Sequence, residues 1–139
     1  MKFRNAIVRK PGKSMINGLT NANLGLPIYQ IAIKQHAAYV NALKNCEVDV
    51  LELEPDENYP DSTFVEDTAL LTPSCAIIMH PGAVSRQGEV LSMKKHIEDY
   101  YDVIEAINPP GTVEAGDIMM VGKHFYIGIS ERTNVLGAE

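Results

Sequence analysis

The sequence predicts an α/β fold, and three observations lead to that expectation. Apolar residues recur at helical spacing in two segments, residues 27–44 and 86–100. Short runs of aliphatic and aromatic residues, typical of strands, stand on either side of both segments. The order strand, strand, helix, strand occurs more than once, which predicts a repeated structural unit.

Each expected element has a local reason. Pro27 suits the first turn of a helix, which we extend to about Lys44. Acids and aliphatic residues alternate in EVDVLEL, as in a strand with one solvated face. A Pro-Pro-Gly break precedes a hairpin that turns at Gly122, and a further turn or helix begins at Ser130. We expect strands at residues 3–8, 47–53, 63–71, 76–79, 102–107, 117–121 and 125–129, with a loop over residues 9–23.

The composition is typical of one soluble globular domain. The chain has 139 residues, of which 45% are hydrophobic and 22% are charged. Its net charge of −6, without a basic block, argues against a nucleic-acid partner. No apolar run is long enough to span a bilayer, and the first residues do not resemble a signal peptide, so we expect no membrane association and a cytoplasmic location.

The cysteines and histidines predict neither a disulfide nor a metal centre. Cys46 and Cys75 lack CxxC spacing, and in a cytosolic protein we expect them to be reduced, buried and inert. The four histidines are scattered along the chain without a zinc-binding pattern. We therefore expect no cofactor.

Acids and arginines recur with a period of about 48 residues. Glu66 stands at the start of one expected hairpin, and Arg86 at its end. Glu114 and Arg132 occupy the corresponding places in the next hairpin. A period of this size makes the chain roughly three units long, and such units bury their faces by stacking or by closing into a ring.

Three acids precede the apolar strand in the stretch PDSTFVEDTALL. Carboxylates bind a guanidinium through short, charge-assisted and often bidentate hydrogen bonds. Asp61, Glu66 and Asp67 can surround such a group if the loop folds over the end of the strand. In extended backbone, Glu66 and Asp67 would point to opposite faces. The alternative is that all three are ordinary loop acids and turn caps.

Two of the four arginines occupy equivalent places at hairpin ends. Arg86 and Arg132 can grip a carboxylate, so a ligand with a guanidinium at one end and a carboxylate at the other satisfies both charge sets. That ligand class is arginine-like. The alternative is a pair of weak surface salt bridges.

The stretch GTVEAGD places two acids around a pair of small residues. Glu114 and Asp117 flank Ala115 and Gly116, and the small pair permits a tight backbone. A carboxylate held there can orient an imidazole in a catalytic group. Turn chemistry explains the same stretch equally well.

These motifs together resemble the dimethylarginine dimethylaminohydrolase family, part of the guanidino-modifying amidinotransferase superfamily. The matching stretches, in family order, are AIVRKPGKSMINGLT, PDSTFVEDTALL, HPGAVSRQGE, GTVEAGDIMMVG and FYIGISERTNVLGAE. The resemblance implies an α/β-propeller, or pentein, of five ββαβ modules, of which this chain holds about two and a half to three. Residues 1–139 are thus expected to be the N-terminal part of a single guanidino-modifying propeller domain.

The resemblance also implies a reaction and a set of site residues. The reaction is hydrolysis of an Nω-methylated arginine to citrulline and dimethylamine, through a thiouronium intermediate on a cysteine. Glu114 would orient the catalytic histidine. The implied substrate-binding residues are Leu19, Asp61, Glu66, Asp67, Arg86 and Arg132. Of these, Asp61, Glu66 and Asp67 would serve the guanidinium side, Arg86 and Arg132 the α-carboxylate, and the Leu19 carbonyl the α-amino group.

The chain departs from the family pattern in two respects. Ala115 stands where the family has glycine, so the local backbone is expected to differ slightly from that of the family. No cysteine or histidine here matches the catalytic motifs, so we expect the chain alone to be inactive. We also expect association through open sheet edges, as a homo-oligomer or otherwise.

Three other functions fit the same residues. One is an arginine deiminase or amidinotransferase relative, with the same acids around another guanidine. Another is a non-catalytic guanidinium-binding protein. The third is a structural interaction module that binds no ligand.

Overall fold

The structure is a computed structural model that describes residues 3–139. The chain divides into two compact units, Met1–Val65 and Glu66–Glu139, with residues 1 and 2 outside the described range. Both units combine strands with helices, so the expected α/β class is confirmed.

The first unit is built on two parallel strands and a helix that connects them. Strand β1 (Asn5–Arg9) pairs in parallel with β2 (Asp49–Leu53), in a register that sets Ile7 opposite Leu51. Helix α1 (Tyr29–Asn45) supplies the long crossover that parallel strands require. Its Val40 is buried, as are Val8 and Leu53 on the strands, so helix and sheet share one small core.

The second unit begins with a three-stranded mixed sheet. Strands β3 (Ala69–Leu71) and β4 (Ala76–Ile78) form an antiparallel hairpin, and β5 (Ile104–Ala106) adds to β4 in parallel. Helix α2 (Glu89–Ile97) connects β4 to β5. Its apolar face provides the core of the unit, in which the buried apolar side chains are Ala76, Ile78, Met79, Met93, Ile97 and Val113.

A second hairpin completes the unit. Strands β6 (Ile118–Val121) and β7 (His124–Ile127) pair antiparallel across a two-residue turn. Gly122 adopts φ +63° in this turn, a conformation that glycine reaches without a Cβ penalty. A short helix, α3 (Val135–Ala138), follows and is capped by the Asn134 side chain.

The strand expected at residues 63–71 is wrong for its first six residues. Residues Val65–Thr68 form a 3₁₀ turn, and only Ala69–Leu71 is strand. The acids in this turn have low β propensity, and the turn begins just after the Phe64 N–H bonds back to the Asp61 carbonyl. Glu66 and Asp67 therefore do not alternate across the faces of a strand.

Across residues 3–139, none of the helices combines the length and the apolar character needed to cross a lipid bilayer.

Candidate functional site

Two acid-bearing 3₁₀ turns, each placed just before a hairpin, form the base of the candidate site in the second unit. The first is Val65–Thr68, before β3, and the second is Ala115–Asp117, before β6. The Gly116 N–H donates to Asp67 Oδ1 at 3.1 Å, so the two turns touch directly. A Cβ at Gly116 would collide with that carboxylate oxygen, and the carboxylate is held on its other oxygen by Arg86, so the contact favours glycine at this position.

Arg86 is buried among carboxylates. Its Nε and Nη2 donate to the two Glu89 oxygens at 3.1 and 2.8 Å, and Nη1 donates to Asp67 Oδ2 at 2.5 Å. Nη1 also lies 4.0 Å from Glu114 Oε2. Burial opposes the charged guanidinium, but the hydrogen bonds that it donates to Glu89 and Asp67 outweigh this effect and raise the pKa of Arg86. Arg86 is therefore a fixed internal cation.

Glu114 has one satisfied and one unsatisfied carboxylate oxygen. Its side chain is buried, and Oε2 accepts from Arg132 Nη1 at 2.9 Å. Oε1 is buried but accepts no hydrogen bond from any residue in the described range 3–139. A buried acceptor without a donor is costly, so a further donor to this oxygen would be stabilising.

Arg132 differs from Arg86 in exposure. Its side chain is 45% exposed, against 2% for Arg86. The loop of Gly82 packs against the Arg132 backbone so closely that a Cβ on Gly82 would collide with it. Arg132 is therefore held by its main chain while its guanidinium remains partly accessible.

A cavity of about 420 Å³ opens at this place. Four carboxylates and one guanidinium line it, together with a glycine and a serine. The lining residues are Asp67, Glu114, Gly116, Asp117, Ser130, Glu131 and Arg132. Of the seven residues predicted for the site, the cavity brings together Asp67, Glu114 and Arg132.

Two predicted site residues, Leu19 and Asp61, lie in the first unit and contact each other. The Leu19 N–H donates to both Asp61 oxygens, at 3.0 and 3.1 Å. Asp61 is 7% exposed, and a side chain on Gly18 would press against its Oδ1. The Asp61 carboxylate thus holds the loop that carries Leu19.

Glu66 has an exposed side chain beside Asp67. Partial desolvation raises its pKa above the ordinary value, and the neighbouring Asp67 charge adds to the effect. Asp67 and Arg86 form an ion pair with each other. The predicted binding roles of Glu66, Asp67 and Arg86 stay predictions.

The alanine at position 115 needs no unusual backbone. Ala115 lies in the 3₁₀ turn, and within residues 3–139 the positive φ of a non-glycine residue belongs to Glu47. The departure from glycine at this position is therefore sterically harmless.

The two cysteines are free thiols, as expected, but only one is shielded. Cys75 is half-buried in the turn between β3 and β4, whereas Cys46 is exposed at the end of α1. The expectation of a buried thiol is thus wrong for Cys46, because the end of α1 faces solvent. Within residues 3–139, no group of three His, Cys, Asp or Glu side chains is placed to hold a metal ion.

Glu89 is a residue that the sequence reasoning missed. It is 3% exposed and binds Arg86 in bidentate fashion. A signal was present, since Arg86 and Glu89 stand three residues apart in the stretch SRQGE and such pairs meet on one side of a helical turn. Nothing local indicates that the pair is buried.

A family model supplies the decisive comparison. The model described as N,N dimethylarginine dimethylhydrolase, eukaryotic, matches residues 19–139. The chain belongs to the dimethylarginine dimethylaminohydrolase family. The resemblance inferred from the sequence motifs is thereby confirmed.

Two curated relatives in the family carry the dimethylarginine dimethylaminohydrolase name. The one from Pseudomonas aeruginosa is 53% identical over 137 residues, which is 98% of this chain and 54% of the relative. The one from Streptomyces coelicolor is 32% identical over 140 residues, which is 100% of this chain and 54% of the relative. The chain therefore spans about half the length of the curated relatives it matches.

Solved structures agree with this family assignment. A cysteine-to-serine mutant of the Pseudomonas aeruginosa dimethylarginine dimethylaminohydrolase, complexed with citrulline, matches with a TM-score of 0.98 and 52% identity. The match covers 99% of this chain and 55% of that one. The N-terminal domain of a cyanobacterial arginine dihydrolase matches with a TM-score of 0.84 at 18% identity, which is a likeness of fold alone.

Proposed function

We propose that the protein is a cytoplasmic hydrolase of Nω-methylated arginine, producing citrulline and dimethylamine. In this proposal the chain supplies the substrate-binding residues and Glu114, while the thiolate and the imidazole come from outside its 139 residues. Family membership and the relatives' names support the reaction class.

The Glu114 carboxylate is the observation that carries the proposal. Glu114 lines the cavity, Arg132 binds its Oε2, and its Oε1 is buried without a donor from residues 3–139. An imidazole N–H is a donor of the right kind, and a carboxylate that accepts it fixes the tautomer and orientation of the ring. Glu114 would thereby orient a histidine that donates a proton to the leaving amine.

The charge balance of the cavity suits a guanidinium. Four carboxylates face one guanidinium along the lining, so a permanently charged, planar cation is favoured there. Arg132 offers an exposed guanidinium for the substrate α-carboxylate, with Arg86 behind Asp67 in the same charge network. Leu19, Asp61 and Glu66 keep the binding roles that the family resemblance implies.

We also propose that the second unit holds one complete propeller module and the start of another. Strands β3 and β4, helix α2 and strand β5 form one ββαβ unit, and β6, β7 and α3 begin a second in the same order. Both hairpins follow an acid-bearing 3₁₀ turn, which supports the repeat read from the sequence. On this view residues 1–139 are one part of a single propeller domain.

A charge-to-amide substitution tests the role of Glu114. In the intact protein, as expressed from its own gene, Glu114→Gln should lower kcat for asymmetric dimethylarginine by on the order of 10²–10⁴-fold, since general acid–base catalysis contributes that much. Glu98→Gln, at an exposed position after α2, is the control and should retain wild-type kcat. Equal kcat values in both variants would remove Glu114 from the mechanism.

The choice of substrate tests the reaction class. Citrulline release from methylated arginine, with dimethylamine as co-product, supports the proposal. Release of ammonia from unmethylated arginine instead would identify an arginine deiminase relative. No release from either substrate, with calorimetric binding of arginine retained, would identify a guanidinium-binding protein.

The open edges of the small sheets support association of chains. Within residues 3–139, strand β7 pairs with β6 alone, and Met119, Phe125 and Tyr126 on this hairpin are exposed. Unpaired edges beside apolar side chains favour pairing with another chain. Light scattering of the purified 139-residue chain should give a mass above the monomer, and a monodisperse monomer at high concentration contradicts this.

A further inference from the structure

We propose that Thr133 and Asp117 are positioning residues that fix Arg132 relative to Glu114. Neither is among the seven residues predicted for the site, although Asp117 lines the cavity. The inference rests on the proposed function, because it takes Glu114 and Arg132 to be the residues that act on the substrate.

Thr133 joins two separate segments through one buried hydroxyl. Its side chain is 0% exposed. Oγ1 donates to Asp117 Oδ2 at 2.6 Å and accepts from the Glu114 N–H at 3.2 Å. The single hydroxyl thus accepts from the Glu114 N–H and donates to the Asp117 carboxylate, and a methyl group can do neither.

Ser130 extends the same connection to the backbone of Arg132. Its Oγ donates to Asp117 Oδ2 at 2.8 Å and accepts from the N–H groups of Arg132 and Thr133, each at 3.0 Å. Asp117 Oδ2 is therefore shared by two hydroxyls that hold the loop before α3. A carboxylate is suited to this place because ionised acceptors form the stronger hydrogen bonds.

The contacts close into a ring around the ion pair. The Asp117 N–H donates to the Glu114 carbonyl at 2.9 Å, and Arg132 Nη1 donates to Glu114 Oε2 at 2.9 Å. The ring runs from Glu114 through Thr133, Asp117 and Ser130 to Arg132 and back to Glu114. Loss of the Thr133 hydroxyl opens it at a buried point, and the two charged side chains then lose their fixed separation.

Amide exchange tests the ring without any assumption about activity. In the intact protein, Thr133→Val should speed deuterium uptake in peptides covering residues 110–117 and 128–134, relative to peptides of α2, by roughly 5- to 100-fold, because it leaves a buried N–H without an acceptor. Thr133→Ser should restore the slow uptake. Thr72→Val is the matched control, since Thr72 is also buried and its hydroxyl binds the turn of the other hairpin.

Kinetics then separate positioning from simple loss of stability. Thr133→Val should raise KM for asymmetric dimethylarginine by about 2- to 10-fold and also lower kcat, since both Arg132 and Glu114 are displaced. A variant that is only less stable reduces the amount of active enzyme and leaves KM unchanged. Asp117→Asn keeps the shape of the side chain and should show the same pattern if Thr133→Val does not fold.

Each result decides the inference. The positioning role would be overturned if deuterium uptake at residues 110–117 were unchanged in Thr133→Val or Asp117→Asn. It would also be overturned if Thr72→Val changed that uptake equally, or if Thr133→Ser did not restore the slow uptake. A change in uptake with unchanged KM would also overturn it, because the ring would then be structural alone. If the wild-type protein turns over no methylated arginine, the proposed function fails, and the exchange result still decides whether the ring fixes the ion pair.

Discussion

Gly116 donates its backbone N–H to Oδ1 of Asp67 at 3.1 Å. This hydrogen bond connects the 3₁₀ turn that precedes the β6–β7 hairpin to the 3₁₀ turn that precedes the β3–β4 hairpin. The same Asp67 carboxylate binds Arg86 through Oδ2. One side chain therefore ties a buried cation to a backbone turn that carries Glu114. The contact therefore joins two residues that line the cavity, Asp67 and Gly116.

The first prediction follows from the lack of space at Gly116. Gly116→Ala should destabilise the second unit by about 1–3 kcal/mol, since the new Cβ collides with Asp67 Oδ1 and either the carboxylate or the turn must shift. Gly128→Ala is the matched control, because a Cβ there meets nothing closer than the Asp117 carbonyl oxygen at 3.6 Å. Urea unfolding of both variants provides the measurement. Equal losses of stability would show that the contact is not selective for glycine.

The second prediction concerns the buried pair of Arg86 and Glu89. Glu89→Gln should cost about 3 kcal/mol of unfolding free energy, because it leaves a buried guanidinium with less compensating charge. The same substitution at Glu54, whose ion pair with Lys10 is exposed, should leave stability unchanged within error. Denaturant unfolding compares the two variants, and similar midpoints would mean that the charge of Glu89 is not needed to stabilise the buried Arg86.

The third prediction is a pair of opposite pH dependences. Partial desolvation raises the pKa of Glu66 above its ordinary value of 4.5, so its stabilising contribution is present below that pH and is lost as the pH rises through the raised pKa. The N–H groups of Lys13 and Ser14 lower the pKa of Glu57, so its contribution is present above 4.5 and is lost as the pH falls through the lowered pKa.

Thermal unfolding between about pH 3 and pH 7 separates these two carboxylates. Relative to the wild-type chain, Glu66→Gln should gain stability as the pH rises, and Glu57→Gln should lose it. The two differences should therefore have slopes of opposite sign. Parallel slopes would contradict the environments described for these groups.

The fourth prediction concerns turnover by the 139-residue chain on its own. We expect no citrulline from asymmetric dimethylarginine, because the nucleophilic thiolate and the proton-donating imidazole are proposed to lie outside it. Colorimetric detection of citrulline against a heat-denatured sample is sufficient. Turnover above that background would mean that Cys46, Cys75 or a histidine of this chain performs the chemistry.

Much of the fold was predictable from local patterns. The apolar periodicity of α1, the alternation in β2 and the glycine turn of the second hairpin each follow from a few neighbouring residues, and the structure confirms them within about two or three residues. The strand expected at residues 63–71 was wrong over residues 63–68, because the acids lie in a 3₁₀ turn, and was right over Ala69–Leu71.

The sequence motifs indicated three residues that line the cavity but not the contacts that these residues make, and the binding roles of all seven predicted residues stay predictions. The acid-rich stretch PDSTFVEDTALL and the recurring acids and arginines indicated Asp67, Glu114 and Arg132, which line one cavity. Their partners were not visible, because Asp67 and Gly116 are 49 residues apart in the chain, and Arg86 and Asp67 are 19 apart. No local pattern encodes a contact at that separation.

The sequence by itself determined the α/β class, the two hairpins with their acids and arginines, and the family. The tertiary structure alone decided that Arg86 is sealed among carboxylates while Arg132 stays accessible, and that one oxygen of Glu114 is left without a donor from residues 3–139. The physical reason is that propensity and periodicity act over a few residues, whereas the burial of a charge depends on which distant groups the folded chain packs around it.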